Sequence, residues 1–356
     1  MKTFHCTACQ ALVFFENTKC LTCGRALAFS PARMAMVALS PDEDGSWRPV
    51  GDGEVPAETH RLCANYTDRG VCNWAIDRDD PASLCRSCSL THTIPDQTVT
   101  ENQSAWIRLE TAKRRLLYTI LSLGLPLVSK VQDARRGLEF RFLSDSTGVN
   151  GDQSRVLTGH DNGVITINVA EADDVYREAQ RLRQNEPYRT LLGHFRHEIG
   201  HYYWDRLIGT GDRLPEFREL FGDERLDYQG ALKQHYERGA PANWEDSFIS
   251  AYATTHPWED WAECWAHVMH MVDALETAHE VGLSVHPARR DEPALSLPEK
   301  PPLARVEDFD SLVAEWSALT YVLNNLTRGL GLADAYPFVL STPVMNKLRC
   351  VCASMR

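Results

Sequence analysis

No run of eighteen apolar residues occurs in the 356-residue chain, which excludes a hydrophobic helix long enough to cross a bilayer. The first residues, Met-Lys-Thr-Phe, reach a cysteine at position 6 without an apolar core or a small-residue cleavage site, so no secretory signal is expected there. Positive charge is also scarce. Lys and Arg number 37 against 49 Asp and Glu, a formal net charge of -12. That balance argues against an electrostatic nucleic-acid binder, while leaving room for a local basic patch. Together these absences predict a cytoplasmic protein with no membrane partner.

In bulk the rest is ordinary. Apolar residues make up 43% and charged residues 24%, as in soluble globular proteins, and the length suits two or three domains. Cysteine is the exception. Eight of the 11 lie in the first 88 residues. In a reducing compartment such clustering reads as metal ligation rather than disulfides. Cys6-Thr-Ala-Cys9 and Cys20-Leu-Thr-Cys23-Gly24 form two knuckles, and four thiolates match the tetrahedral preference of zinc. A hairpin between Val13 and Thr18 would join them. Cys63, Cys72, Cys85 and Cys88 make a second candidate four-thiolate set, with His60 and His92 as spare ligands. Closed sets of this kind leave no open position and are assigned no catalysis. Ala32–Leu39 reads as a strand. Such a lobe should bury little apolar surface and draw much of its folding energy from metal. Residues 92–99, broken by Pro95, read as an extended linker.

The remaining chemistry sits in His197-Glu198-Ile199-Gly200-His201. On a helix, positions i and i+4 share a face, so His197 and His201 can hold one zinc ion. Glu198 can then act as general base toward a zinc-bound water. Leu191, Leu192, Phe195, Ile199 and Tyr202 recur at spacings of three and four, which predicts a helix over about 187–208. Gly200 weakens that helix and suggests close approach of another element. His194 is the poorer ligand candidate. The third ligand is sought on a second helix, where Trp258, Trp261, Trp265, Val268, Met269 and Val272 form an apolar stripe. There Glu259 and Glu263 share a face. One could bind zinc and the other hold a zinc-binding histidine through its distal nitrogen. His267 and His270 read as satisfied polar residues. Tyr202, Tyr203, Tyr228 and Tyr252 compete as donors to a developing oxyanion.

Elsewhere the pattern predicts a helix over 105–123 whose basic run (Arg108, Lys113, Arg114, Arg115) is solvated. Strands are expected over 138–143 and 164–169, the second after an Asn162-Gly163 turn, with a loop at Gly148–Gly151. The free edge of the later strand could receive an extended peptide. His160 and Asp161 are weak site candidates beside it. A charged helix is expected over 171–186, a proline-rich loop over 285–305, helices over 309–330 and 341–348, and a loose tail carrying Cys350 and Cys352.

With these motifs assembled, the chain resembles a bacterial family of zinc-binding metallopeptidases that carry an N-terminal zinc ribbon. The marks are the paired cysteine clusters, Leu157-Thr-Gly-His-Asp-Asn-Gly163, Tyr188 through Trp204, and His256-Pro-Trp-Glu-Asp-Trp-Ala-Glu263. The wider clan resembled uses a glutamate as third ligand. That resemblance implies Glu259 as the ligand and Glu263 as the residue contacting a zinc-binding histidine. Anthrax lethal factor has a similar glutamate helix with a tyrosine seven residues earlier, which implies Tyr252 for the oxyanion role.

The expected fold is α+β: a zinc-ribbon region over 1–95, a mostly helical zincin-like domain with a small sheet over 100–349, and a tail over 350–356. The expected function is zinc-dependent peptide-bond hydrolysis, with one catalytic and two structural zinc ions, a peptide or protein substrate, and a possible protein partner for the ribbons. The alternative is a ribbon-bearing scaffold protein whose zincin-like domain is latent or non-catalytic.

Overall fold

A computed structural model describes residues 1–51, 59–147, 153–184 and 186–356. The loop expected at Gly148–Gly151 lies outside them. Packing groups the chain into two units. The first holds Met1–Ser122, Pro126–Gly159 and Val164–Asp173, and the second holds Leu123–Leu125, His160–Gly163 and Asp174–Arg356.

In the first unit, β1 (Phe4–His5) pairs with β2 (Leu12–Val13) across the first cysteine knuckle. Each knuckle closes on a left-handed residue, Gln10 at φ 60° and Gly24 at φ 74°. That conformation lets the amide of Gln10 reach Cys6 O (2.8 Å) and that of Gly24 reach Cys20 O (2.9 Å). An antiparallel meander follows, β3 (Ala26–Ser30), β4 (Ala35–Pro41), β5 (Trp47–Val50), β6 (His60–Leu62) and β7 (Ala75–Asp77), with the short helix α1 (Ala64–Thr67) before its last strand.

β8 (Thr91–Thr93) then leads to α2 (Thr100–Ser122). Phe4, Phe15, Phe29 and Tyr118 of α2 form an aromatic cluster with ring centroids 5.0 to 6.2 Å apart. Trp74 extends it, 5.0 Å from Phe29. This part of the chain therefore buries an apolar aromatic core, contrary to the expectation that it would bury little apolar surface. The basic run on α2 is also not wholly solvated. Lys113 and Arg114 are buried, Lys113 pairing with Glu110 at 2.9 Å and Arg114 donating to Val71 O at 2.6 Å. Both are long side chains whose charge is matched inside rather than left in water.

A second sheet has the order β12-β13-β9-β8, built from β9 (Glu139–Leu143), β12 (Gly159–Asp161) and β13 (Val164–Asn168) together with β8. β10 (Ser146–Thr147) and β11 (Gln153–Ser154) form a separate pair. β8, parallel to β9, thus takes up His92 and Thr93, the first two residues of the stretch expected as a linker. Its threonines suit a pleated strand, and Pro95 falls just beyond it. β13 is parallel to β9 with Val164 opposite Glu139. It is flanked on both sides, so the edges of this sheet are β12 and β8 and not the strand expected to receive a peptide.

The second unit is helical: α3 (Asp174–Arg183), α4 (Leu191–Leu207), α5 (Leu214–Phe221), α6 (Tyr228–Arg238), α7 (Pro257–Glu280), α8 (Pro302–Glu307), α9 (Phe309–Gly329) and α10 (Thr342–Ser354). The last helix corrects the loose tail. Cys350 and Cys352 are buried on α10 with Val344, Leu348 and Val351, behaving as small hydrophobes. No helix among the described residues is long and apolar enough to cross a membrane.

Candidate metal centre and the cysteine sites

α4 begins where Thr190 caps it, its hydroxyl accepting from Gly193 N at 3.0 Å. Its apolar face buries Phe195, Ile199, Tyr202 and Tyr203. α7 begins at His256, whose Nδ1 accepts from Trp258 N at 3.2 Å, with Pro257 in the first turn. Its Trp261 and Trp265 are fully buried. The two helices meet at Gly200. A Cβ there would stand 3.0 Å from Ala262 Cα and 3.1 Å from Trp265 Cβ. Trp261 Nε1 donates to the Gly200 carbonyl at 2.9 Å. The glycine is the price of this close approach.

The approach brings His197, His201 and Glu259 together. Their ligand atoms all lie within 4.8 Å of one another. The two histidine Nε2 atoms are 3.3 Å apart, and Glu259 Oε2 lies 2.8 Å from that of His197 and 3.5 Å from that of His201. Zinc bonds of about 2.0–2.1 Å in a tetrahedron require ligand separations of about 3.3 Å, so the donor set fits the ion. Behind the set, Glu263 Oε1 accepts from His197 Nδ1 at 2.7 Å, and Glu263 Oε2 accepts from Ser250 Oγ at 2.7 Å. That leaves His197 Nε2 facing the ligand position.

Electrostatics follow the same arrangement. Burial works to lower the His197 pKa, but hydrogen bonds and charge from Glu259 and Glu263 outweigh it and hold it well above the ordinary value. Burial works to raise the Glu259 carboxyl, while His201 and His197 pull it well below the usual carboxylate range. Glu198 is buried between these groups. Burial pushes its carboxyl up, against the lowering pull of His197 and His201, a shift in the direction that suits a general base.

Tyr252 stands on a short turn before α7, its ring centroid 5.8 Å from that of His197. Burial, reinforced by Glu259, pushes its phenol well up. Tyr228 donates to Glu259 Oε1 at 2.5 Å. His160 stacks on His201 with centroids 6.0 Å apart and an interplanar angle of 11°, while Asp161 is exposed. His194 is outside the ligand set. His267 is satisfied by Tyr336 at 2.7 Å, and His270 contacts Arg196. Ser250 and the ligand-facing role of Tyr228 carry no local sequence signal, because each reaches the site from outside α4 and α7.

The first unit holds two further donor sets, Cys6, Cys9, Cys20, Cys23 and Cys63, Cys72, Cys85, Cys88. All the cysteines are free thiols. Sulfur separations are 3.7 Å for Cys6 and Cys23, 3.6 Å for Cys9 and Cys20, and 3.6 Å for Cys72 and Cys85. Zinc–sulfur bonds of about 2.3 Å require about 3.8 Å. Amides of Cys85 and Trp74 donate to Cys63 and Cys72 sulfurs, each at 3.3 Å. Neither His60 nor His92 belongs to the second set. Burial pushes the Cys72 and Cys85 thiols well up, a penalty that a cation binding thiolates would offset.

Fold and donor sets define a class: an α+β protein with a cysteine-rich, zinc-ribbon-like region and a helical unit whose His-His-Glu cluster suits a metal. The chain belongs to the family described as "Putative zinc-binding metallo-peptidase", whose pattern matches residues 102–354, and its residues 3–99 match a zinc-ribbon domain. Uncharacterized proteins of Mycobacterium bovis and Mycobacterium tuberculosis are 45% identical to it over 350 residues, covering 98% of this chain and 94% of each relative. No solved structure matches the chain.

Proposed function

We propose that the second unit hydrolyses peptide bonds at a zinc ion held by His197, His201 and Glu259. The observation that carries this reading is the spacing of the three donor atoms, two imidazole Nε2 and one carboxylate oxygen, at 2.8 to 3.5 Å. Three protein ligands leave one position open, the mark of a catalytic rather than a structural site. Zinc supplies Lewis acidity there toward water and an amide carbonyl. Glu198 takes the proton of the attacking water on its carboxylate and delivers it to the leaving amine. Tyr252 donates its phenolic hydrogen to the developing oxyanion. Glu263, held by Ser250, keeps the His197 ring oriented. The two cysteine sets each hold a structural zinc and offer the ribbons as a platform for a protein partner. The substrate is a peptide or protein, and the site of action is the cytoplasm.

The test is Glu198→Gln beside wild type, with zinc content and peptide-library cleavage measured on the same samples. Retained zinc with cleavage lost by about 10²-fold or more is expected for loss of a general base. Cleavage at the wild-type rate would overturn the assignment.

A further inference from the structure

We infer that Tyr228 is a positioning residue that holds Glu259 to metal coordination through a single oxygen. This rests on the reading of Glu259 as a metal ligand and adds a residue to that site. Glu259 is 1% exposed, so both carboxylate oxygens need partners within the protein. Oε2 faces the Nε2 atoms of His197 and His201 at 2.8 and 3.5 Å. Oε1 accepts the Tyr228 hydroxyl at 2.5 Å, a short bond of the kind an ionised acceptor makes. With Oε1 engaged, only Oε2 is presented to the ligand position. The carboxylate cannot swing to offer both oxygens without giving up that bond.

The phenol is itself fixed. Tyr228 opens α6 behind the Asp227 cap, where the Asp227 side chain accepts from Gly230 N at 3.1 Å. Its ring packs on His256 (5.2 Å, 84°) and on Trp258 (5.9 Å, 51°). These residues flank Pro257 at the start of α7, one turn from Glu259. His256 Nε2 also lies 3.2 Å from Leu226 O, which ties the approach to α6 to the head of α7. The same helix carries His235, whose ring meets Tyr252 edge-on at 5.8 Å and 90°. The two tyrosines are therefore placed differently. Tyr228 has its hydroxyl committed to the ligand carboxylate, and the Tyr252 ring lies beside His197 at 5.8 Å.

The experiment measures zinc affinity of the third site in the full-length chain by competition with a chromogenic chelator, for wild type, Tyr228→Phe, Tyr252→Phe and Glu259→Ala. Phenylalanine keeps the packing on His256 and Trp258 and removes only the hydroxyl, so the zinc-free variant should still unfold cooperatively, with a midpoint lowered only by the lost bond to Glu259. Tyr228→Phe is expected to weaken zinc binding about 10- to 100-fold, with Tyr252→Phe unchanged. Affinity within twofold of wild type for Tyr228→Phe, or an equal loss in both tyrosine variants, would overturn the inference. Failure of the underlying ligand reading shows separately, as a Glu259→Ala variant that still binds its third zinc.

Discussion

His197 and Glu263 face each other across the packed helices α4 and α7, with Nδ1 and Oε1 2.7 Å apart. Ser250 closes the chain on the other carboxylate oxygen at 2.7 Å. The imidazole is thereby held in one tautomer and one orientation, with its far nitrogen toward Glu259. Glu263→Ala should leave a zinc site that forms but binds about 10- to 100-fold more weakly. Chelator competition checks this. Wild-type affinity in the variant would mean that packing alone orients His197.

Gly200 supports a prediction of opposite sign to its helix propensity. Replacing glycine by alanine inside a helix ordinarily gains about 1 kcal/mol. Here the new methyl would sit 3.0 Å from Ala262 Cα, a backbone atom of α7 that cannot rotate away. Overpacking typically costs about 1–3 kcal/mol, and a steric block between two helices belongs at the upper end. Gly200→Ala should therefore lower the thermal midpoint by about 3–6 °C in a unit of this size. A rise would show that the helices separate freely.

The parts of this site that could be read beforehand are those encoded locally. His197 and His201 share a helix face by a four-residue spacing, and Glu259 with Glu263 do so for the same reason. Gly200 announced a close approach because it broke a rule of helix composition. The cysteine sets were visible as spacings, and their sulfur separations are those of a tetrahedral site. Tyr228 and Ser250 were not legible as partners of Glu259 and Glu263. They lie 31 and 13 residues from those carboxylates, and only the tertiary fold sets them there. The same holds for Thr91–Thr93, whose partner strand begins past residue 138. On α10 the signal was present but ambiguous. Read as a cysteine pair without knuckle spacing, Cys350 and Cys352 fall in a tail beyond a helix that ends near Leu348. Treated as small hydrophobes, they continue the stripe of Val344, Leu348 and Val351.

Lys347 of α10 reaches the head of α7, where its Nζ lies 2.6 Å from Asp260 Oδ2 and donates to Ser247 O at 2.7 Å. It also sits over the Phe248 ring at 4.1 Å. Burial pushes the Asp260 carboxyl up to about 7 in spite of this cation. Removing the ammonium leaves a buried carboxyl that must either take up a proton or stay charged with no counter-charge, a loss of about 3 kcal/mol. Lys347→Met should lower the denaturant midpoint accordingly, and Lys347→Met with Asp260→Asn should recover part of it. An unchanged midpoint in the single variant would show that α10 docks through its apolar face alone.

The pH dependence of stability should carry the mark of His267. This residue is 5% exposed, hydrogen-bonded to Tyr336, and held by burial at a pKa of about 4, against 6.5 for a free imidazole. The folded chain therefore resists a proton that the unfolded chain accepts. Above 6.5 both states are neutral and the group contributes no slope. Between 6.5 and about 4 the unfolded state binds more protons, so stability falls as pH falls, by roughly 3 kcal/mol across the window. Below about 4 both states are charged and the slope from this group ends. Acid release of a metal from the proposed His197 and His201 site would add to acid destabilisation, so a comparison variant is needed to isolate the effect. His267→Gln supplies the comparison, since an amide can still meet the Tyr336 hydroxyl but does not titrate. The variant's thermal midpoint should fall less steeply than wild type from pH 6.5 to 4.5, with the two curves parallel above 7. Parallel curves throughout would show that His267 takes up its proton inside the folded unit, with a neighbouring group moving to receive it.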